Sequence, residues 1–140
     1  MNANSQTSHQ PTLLLVEDDE MVRDAMTRLF VREGYLVLTA STGHDAIGLL
    51  RTPATPIDVV LLDIGLPDVS GADLCARLRQ LYPTLPVVVC TGLASQEEVD
   101  ELGRLGITHF LCKPIAMIEL AAAIRSAMID SPSACREPAG

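Results

Sequence analysis

The chain has 140 residues, 48% hydrophobic and 20% charged, enough to bury the core of one domain and too apolar for disorder. A net charge of -8 argues against the basic face that nucleic acid or an anionic membrane surface needs, and leaves proteins and metal ions as the expected partners. No apolar run approaches the roughly 18 residues of a membrane span, and the opening "MNANSQTSHQ" lacks the basic start and apolar stretch of a signal peptide, so the expected location is cytoplasmic.

In chain order, residues 1–10 read as a flexible tail. The first strand candidate is "LLLV", Leu13 to Val16, followed directly by Glu17, Asp18 and Asp19. A helix begins after Asp19, which serves as its cap, and ends near Gly34. The second strand, "YLVLTA" from Tyr35 to Ala40, ends in no comparable polar group and suits a sheet edge. Thr42 with Asp45, Ser70 with Asp73, and Ser95 with Glu98 have the spacing of capping boxes and open three further helices. Between these lie "DVVLL" (Asp58 to Leu62), followed by Asp63, and "PVVVC" (Pro86 to Cys90), followed by Thr91. The fifth strand candidate, "ITHFLC" from Ile107 to Cys112, is followed by Lys113. A last helix is expected from Pro114, turning Ile115, Ile118, Ala122 and Ile124 toward the core. Residues 130–140 read as a second flexible tail.

The continuous apolarity of the strand candidates suggests burial on both faces, as in a parallel sheet. Five strands alternating with five helices then give one α/β domain, residues 11–129, with an open doubly wound sheet. Cys75, Cys90, Cys112 and Cys135 have no short paired spacing of the kind that binds zinc or forms a redox pair, and Cys90 and Cys112 read as small strand hydrophobes.

In such a sheet the ligand site lies at the carboxyl ends of the strands, where strand order reverses. That edge collects Glu17, Asp18, Asp63, Thr91 and Lys113. Of ten basic side chains Lys113 is the only lysine, so the compact amine falls where a point charge is useful. Clustered carboxylates repel unless a cation sits among them, and an all-oxygen set suits Mg²⁺, with Mn²⁺ as the substitute. A carboxylate beside that ion can attack a phosphoryl group, whose equatorial oxygens need an ammonium and a hydroxyl donor. Asp63 as nucleophile, with Lys113 and Thr91 as donors, completes such a set.

Taken together, "LLLVEDDE", "LLDIGLPDVSG", "VVVCTG" and "FLCKPI" resemble the receiver domain of two-component response regulators, in the right order across nearly the whole ordered region. The resemblance implies a flavodoxin-like doubly wound five-stranded parallel sheet of order 2-1-3-4-5 with five helices. It implies Asp63 as the phosphoacceptor, with Asp18 a direct metal ligand, Glu17 acting through water, and the backbone carbonyl of Gly65 as a further ligand. It also implies Thr91 and Phe110 as the switch pair and a cis peptide before Pro114. Phe110 stands where many relatives carry tyrosine and is equally readable as a core residue. His109 reads as an outward strand side chain, and Gly92 would leave the switch hydroxyl uncrowded.

The resulting expectation is a phosphorylation-gated signalling module rather than an enzyme with an external substrate. A sensor histidine kinase or histidine phosphotransfer protein would donate the phosphoryl group. The surface of the fourth helix, fifth strand and fifth helix would change toward a downstream effector protein, with the chain monomeric or dimerising on phosphorylation. No room is seen for a DNA-binding output domain, so the chain reads as a stand-alone receiver or one excised from a larger regulator or hybrid kinase. The alternative is a Mg-dependent aspartyl-nucleophile phosphatase, which would want a general acid where Gly65 stands. A flavin binder is disfavoured by 3% aromatic residues and no Trp.

Overall fold

The computed structural model describes residues 10–51, 56–92 and 95–130. Most of both expected tails, with Cys135, lies outside these residues. Five parallel strands, β1 (Thr12–Val16), β2 (Leu36–Ala40), β3 (Val59–Asp63), β4 (Val87–Thr91) and β5 (His109–Cys112), form one sheet in the order β2-β1-β3-β4-β5. Five helices connect and cover them: α1 (Glu20–Arg32), α2 (Gly43–Arg51), α3 (Gly71–Leu81), α4 (Gln96–Arg104) and α5 (Met117–Asp130). This is the flavodoxin-like arrangement and strand order.

Strand alternation builds two cores. Leu13, Leu15, Val59, Leu61, Val88 and Cys90 pack on one face, against Phe30 of α1 and Leu120 and Ile124 of α5. Their neighbours Leu14, Val16, Val60, Leu62, Val87 and Val89 pack on the other, against α2, α3 and Leu102 of α4. The three central strands are therefore buried on both faces, as their unbroken apolarity requires. The edges differ. Leu36 on β2 is exposed, β5 is only partly buried, and Cys112 faces solvent rather than the core because no strand lies beyond it.

Local chemistry fixes the helix starts. The Asp19 carboxylate accepts from the Val22 amide at 3.0 Å, and Ser70 accepts from Asp73 at 3.1 Å. Ser95 and Glu98 form a reciprocal capping box. Gly34, at φ 101°, takes the left-handed conformation that releases the chain from α1 into β2.

The last helix departs from expectation. It starts at Met117, not Pro114: the Lys113–Pro114 peptide is cis, as the resemblance implied, and residues 113–116 are not yet helical. The Glu119 carboxylate reaches back to the Ala116 amide at 3.1 Å. The buried face consequently falls on Leu120, Ile124 and Ala127, a four-then-three spacing, while Ile118 is 78% exposed and Ala122 also faces water.

Candidate functional site

The register of the central strands assembles the site. Val16 on β1 pairs with Leu62 on β3, so Glu17 and Asp63, the next residues of each strand path, lie side by side. Asp63 pairs with Cys90 on β4, and Thr91 pairs with Cys112 on β5. The Lys113 amide then donates to the Thr91 carbonyl at 2.8 Å, which holds the chain beyond β5 against the end of β4. Asp63 and Thr91 are the last residues of their strands rather than the first after them.

Carboxylate oxygens of Glu17, Asp18 and Asp63 lie within 4.8 Å of one another. The Lys113 ammonium faces this cluster, with Nζ 3.4 Å from Asp63 Oδ1. Glu17 is almost completely buried, and that burial pushes its carboxyl up to about 7. The charge of Asp63 and a hydrogen bond to it push the same way, while the Asp19 amide and Lys113 pull down. For Lys113, burial disfavours the charged amine, but Asp63 and Glu17 more than offset it and its pKa ends above the usual lysine value. Three acids against one ammonium leave the cluster short of positive charge. Its donor set is all oxygen and fits a hard divalent cation.

Thr91 adds an independent sign of an intended guest. Its Oγ1 is buried and has no hydrogen-bond partner among the described residues. Replacing it with the isosteric Val should leave the urea midpoint of the unmodified chain unchanged or raise it, because an unpaired buried hydroxyl costs about 1–3 kcal/mol. A clear drop in midpoint would show that the hydroxyl is satisfied in solution. Around Gly92 a side chain would meet open space, so nothing crowds that hydroxyl from the following residue.

The main chain beyond Asp63 folds back on it. The Gly65 amide donates to Asp63 Oδ1 at 3.2 Å, and a Cβ at Gly65 would make only ordinary contact with the same oxygen, at 3.8 Å. Phe110 pairs with Val89, two residues before Thr91 on the same sheet face, and packs partly buried against the core that holds α4. His109 bonds Asp130 at 3.1 Å across to the end of α5 and stands away from the acidic cluster. The buried thiols of Cys75 and Cys90 are each pushed up to about 12 by burial, which leaves them protonated and without nucleophilic character.

Two contributors were not anticipated. Arg23 of α1 donates Nη1 to the carbonyls of Glu17, at 2.9 Å, and Asp18, at 3.4 Å, tying down the backbone of the acidic pair. A cation in the first turns of a helix works against the helix dipole, and that misfit was the available signal. Asp68 binds the start of α2, 24 and 25 residues away in sequence, and nothing local advertises that contact.

With this geometry in place, comparison with known proteins identifies the family. Residues 13–125 match the response regulator receiver domain family, and the chain belongs to it. It is 42% identical over 120 residues to the transcriptional regulatory protein KdpE of Mycobacterium tuberculosis, covering 84% of this chain and 51% of that protein. It is 37% identical over 117 residues to the transcriptional regulatory protein CreB of Escherichia coli, covering 82% and 49%. The chain thus spans about half the length of the curated relatives it matches. Among solved structures, a CheY-like receiver domain protein from Methanospirillum hungatei aligns with a TM-score of 0.81 at 26% identity, over 86% of this chain and 94% of that one. The chain is accordingly a response regulator receiver domain, a signalling module. Among the described residues no helix is long and apolar enough to cross a membrane.

Proposed function

We propose that Asp63 accepts a phosphoryl group from the phosphohistidine of a sensor kinase or phosphotransfer protein. The observation carrying this reading is the placement of one ammonium, Lys113 Nζ, 3.4 Å from Asp63 Oδ1 inside a cluster of three carboxylates. An Asp63 carboxylate oxygen attacks phosphorus and the P–N bond of the donor breaks. The donor imidazole leaves, and Asp63 carries an acyl phosphate. Lys113 Nζ and Thr91 Oγ1 donate hydrogen bonds to the phosphoryl oxygens, the second giving the orphaned hydroxyl its partner. Water later cleaves the acyl phosphate, restoring the carboxylate and releasing phosphate. Glu17, Asp18, Asp63 and the Gly65 carbonyl would hold Mg²⁺, or Mn²⁺, which supplies charge neutralisation at those oxygens when bound.

Movement of Thr91 toward the phosphoryl group frees space on the sheet face it shares with Phe110. The packing of Phe110 against the α4 side of the sheet then changes, and the surface of α4, β5 and α5 passes the change to an effector protein in the cytoplasm. An apolar groove of about 610 Å³ between α1 and the β5–α5 turn opens beside Lys113, lined by Met21, Val22, Met26, Pro114 and Ile115, and suits a helix of the donor. The phosphatase reading is weaker, because Gly65 offers no side chain to protonate a leaving group.

Incubation with acetyl phosphate and Mg²⁺ should add one phosphoryl group by intact mass. No gain, while a control receiver is modified, would overturn the reading. Lys113→Arg should retain Mg²⁺ affinity by calorimetry yet slow phosphorylation by about 10-fold or more, since a planar guanidinium cannot replace a point donor in a site of this kind. Phosphorylation at the wild-type rate would remove the role given to the amine.

A further inference from the structure

The loop between β3 and α3 carries Gly65, and it is fastened to a helix far away in sequence. The Asp68 carboxylate accepts from the Gly43 amide at 2.9 Å through one oxygen and from the His44 amide at 3.0 Å through the other. Thr42 Oγ1 accepts from the Asp45 amide at 3.0 Å, so the first three amides of α2 are shared between one local cap and one carboxylate from another loop. These two amide hydrogen bonds hold the Asp68 carboxyl below its ordinary pKa, as donors to the ionised form do.

Sterics enforce the same contact. A Cβ on Gly43 would fall 2.1 Å from Val69 Cγ1, and a Cβ on Gly71 would fall 2.2 Å from Ile64 Cγ1. The loop is therefore pressed against α2 on one side and against the first turn of α3 on the other. Between these contacts sit Gly65 and its amide bond to Asp63 Oδ1. A loop gripped at both ends has little freedom to displace the backbone it carries.

We propose that Asp68 is a positioning residue. By clamping the β3–α3 loop to the amino end of α2, it fixes the Gly65 main chain against Asp63 and so sets metal affinity at a site it does not touch. The inference rests on the reading that Gly65 supplies a backbone ligand. It goes beyond that reading by assigning the control of that ligand to a carboxylate outside the cluster and to the missing side chain at Gly43.

The test uses the whole chain and three variants, Asp68→Ala, Asp68→Asn and Gly43→Ala. Amide hydrogen exchange at Gly65 and Mg²⁺ affinity by calorimetry are read well below each melting temperature. Asp68→Ala should speed Gly65 exchange and weaken Mg²⁺ binding by about 10-fold, the scale of a lost partner behind a metal ligand. Asp68→Asn, which keeps an acceptor oxygen, should recover part of both. Gly43→Ala, which pushes Val69 away from the opposite side, should reproduce the Asp68→Ala effects if it folds. A purely structural cap would lower the melting temperature and leave both readouts at wild-type values, and that result in folded Asp68→Ala overturns the proposal. Failure of the wild-type chain itself to bind Mg²⁺ would strike the proposed function instead, while unchanged Gly65 exchange in Asp68→Ala would still count against the clamp.

Discussion

Asp63→Asn should abolish phosphoryl uptake from acetyl phosphate, with no mass gain at any Mg²⁺ concentration, while leaving the fold intact. The amide oxygen can still accept from the Gly65 amide, now 3.2 Å from Asp63 Oδ1, so the loop keeps its anchor. What disappears is the only carboxylate of the cluster with Lys113 Nζ at 3.4 Å, and an amide is no substitute nucleophile. The variant also relieves Glu17, since the charge of Asp63 is one of the forces holding that carboxyl high. Unfolding curves should accordingly match or exceed those of the parent. Persistent phosphorylation in Asp63→Asn would move the acceptor to another carboxylate, with Glu17 and Asp18 the candidates within the cluster.

The second large effect is on pH and metal together. The Glu17 carboxyl is held at about 7 in the fold against 4.5 for the free side chain, principally by burial. Between those values the unfolded chain gives up the proton while the folded chain keeps it, so stability falls as pH rises through that window. Below it, both states are protonated and the penalty is absent. Above about 7 the penalty is complete, at roughly 3 kcal/mol in the metal-free chain. Thermal melts in chelator should therefore show a lower melting temperature at pH 8 than at pH 5, by roughly 5 °C or more. Saturating Mg²⁺ should reverse most of that loss, because the ion favours the ionised carboxylate, and its affinity should climb as pH passes 7. Glu17→Gln isolates the cause: it should flatten the pH 5 to 8 decline, and an equally steep decline in that variant would assign the effect to other groups.

Much of this was written locally in the chain, and the exceptions are physical. The sheet could be read because three strands are buried on both faces and therefore apolar without interruption, and because each is punctuated by a polar residue at its carboxyl end. Glu17, Asp18, Asp63, Thr91 and Lys113 were legible for that reason. The cis peptide before Pro114 was implied by the resemblance and is present, but the start of α5 was misread because a proline suits a first helical turn. With the start displaced by three residues, Ile118 and Ala122 went to the wrong face. Cys90 and Cys112 were both read as small strand hydrophobes, and only Cys90, on a central strand, is buried, because an edge strand has nothing beyond it to pack against. Asp68 stayed hidden because its partners are backbone amides that no sequence pattern labels, and Arg23 showed only as a cation set against the dipole of its own helix.

The strand order carries a last consequence, for the time at which the chain becomes competent. The acids arrive early, from β1 and β3, which pair directly with each other. The ammonium arrives only with the segment after β5, fifty residues beyond Asp63 and at the far edge of the sheet. During synthesis or refolding the central strands can therefore pair while the acceptor still lacks its counter-charge and its donor. If Asp63 is the acceptor proposed above, its receptivity to a phosphoryl group is in this way tied to closure of the last strand.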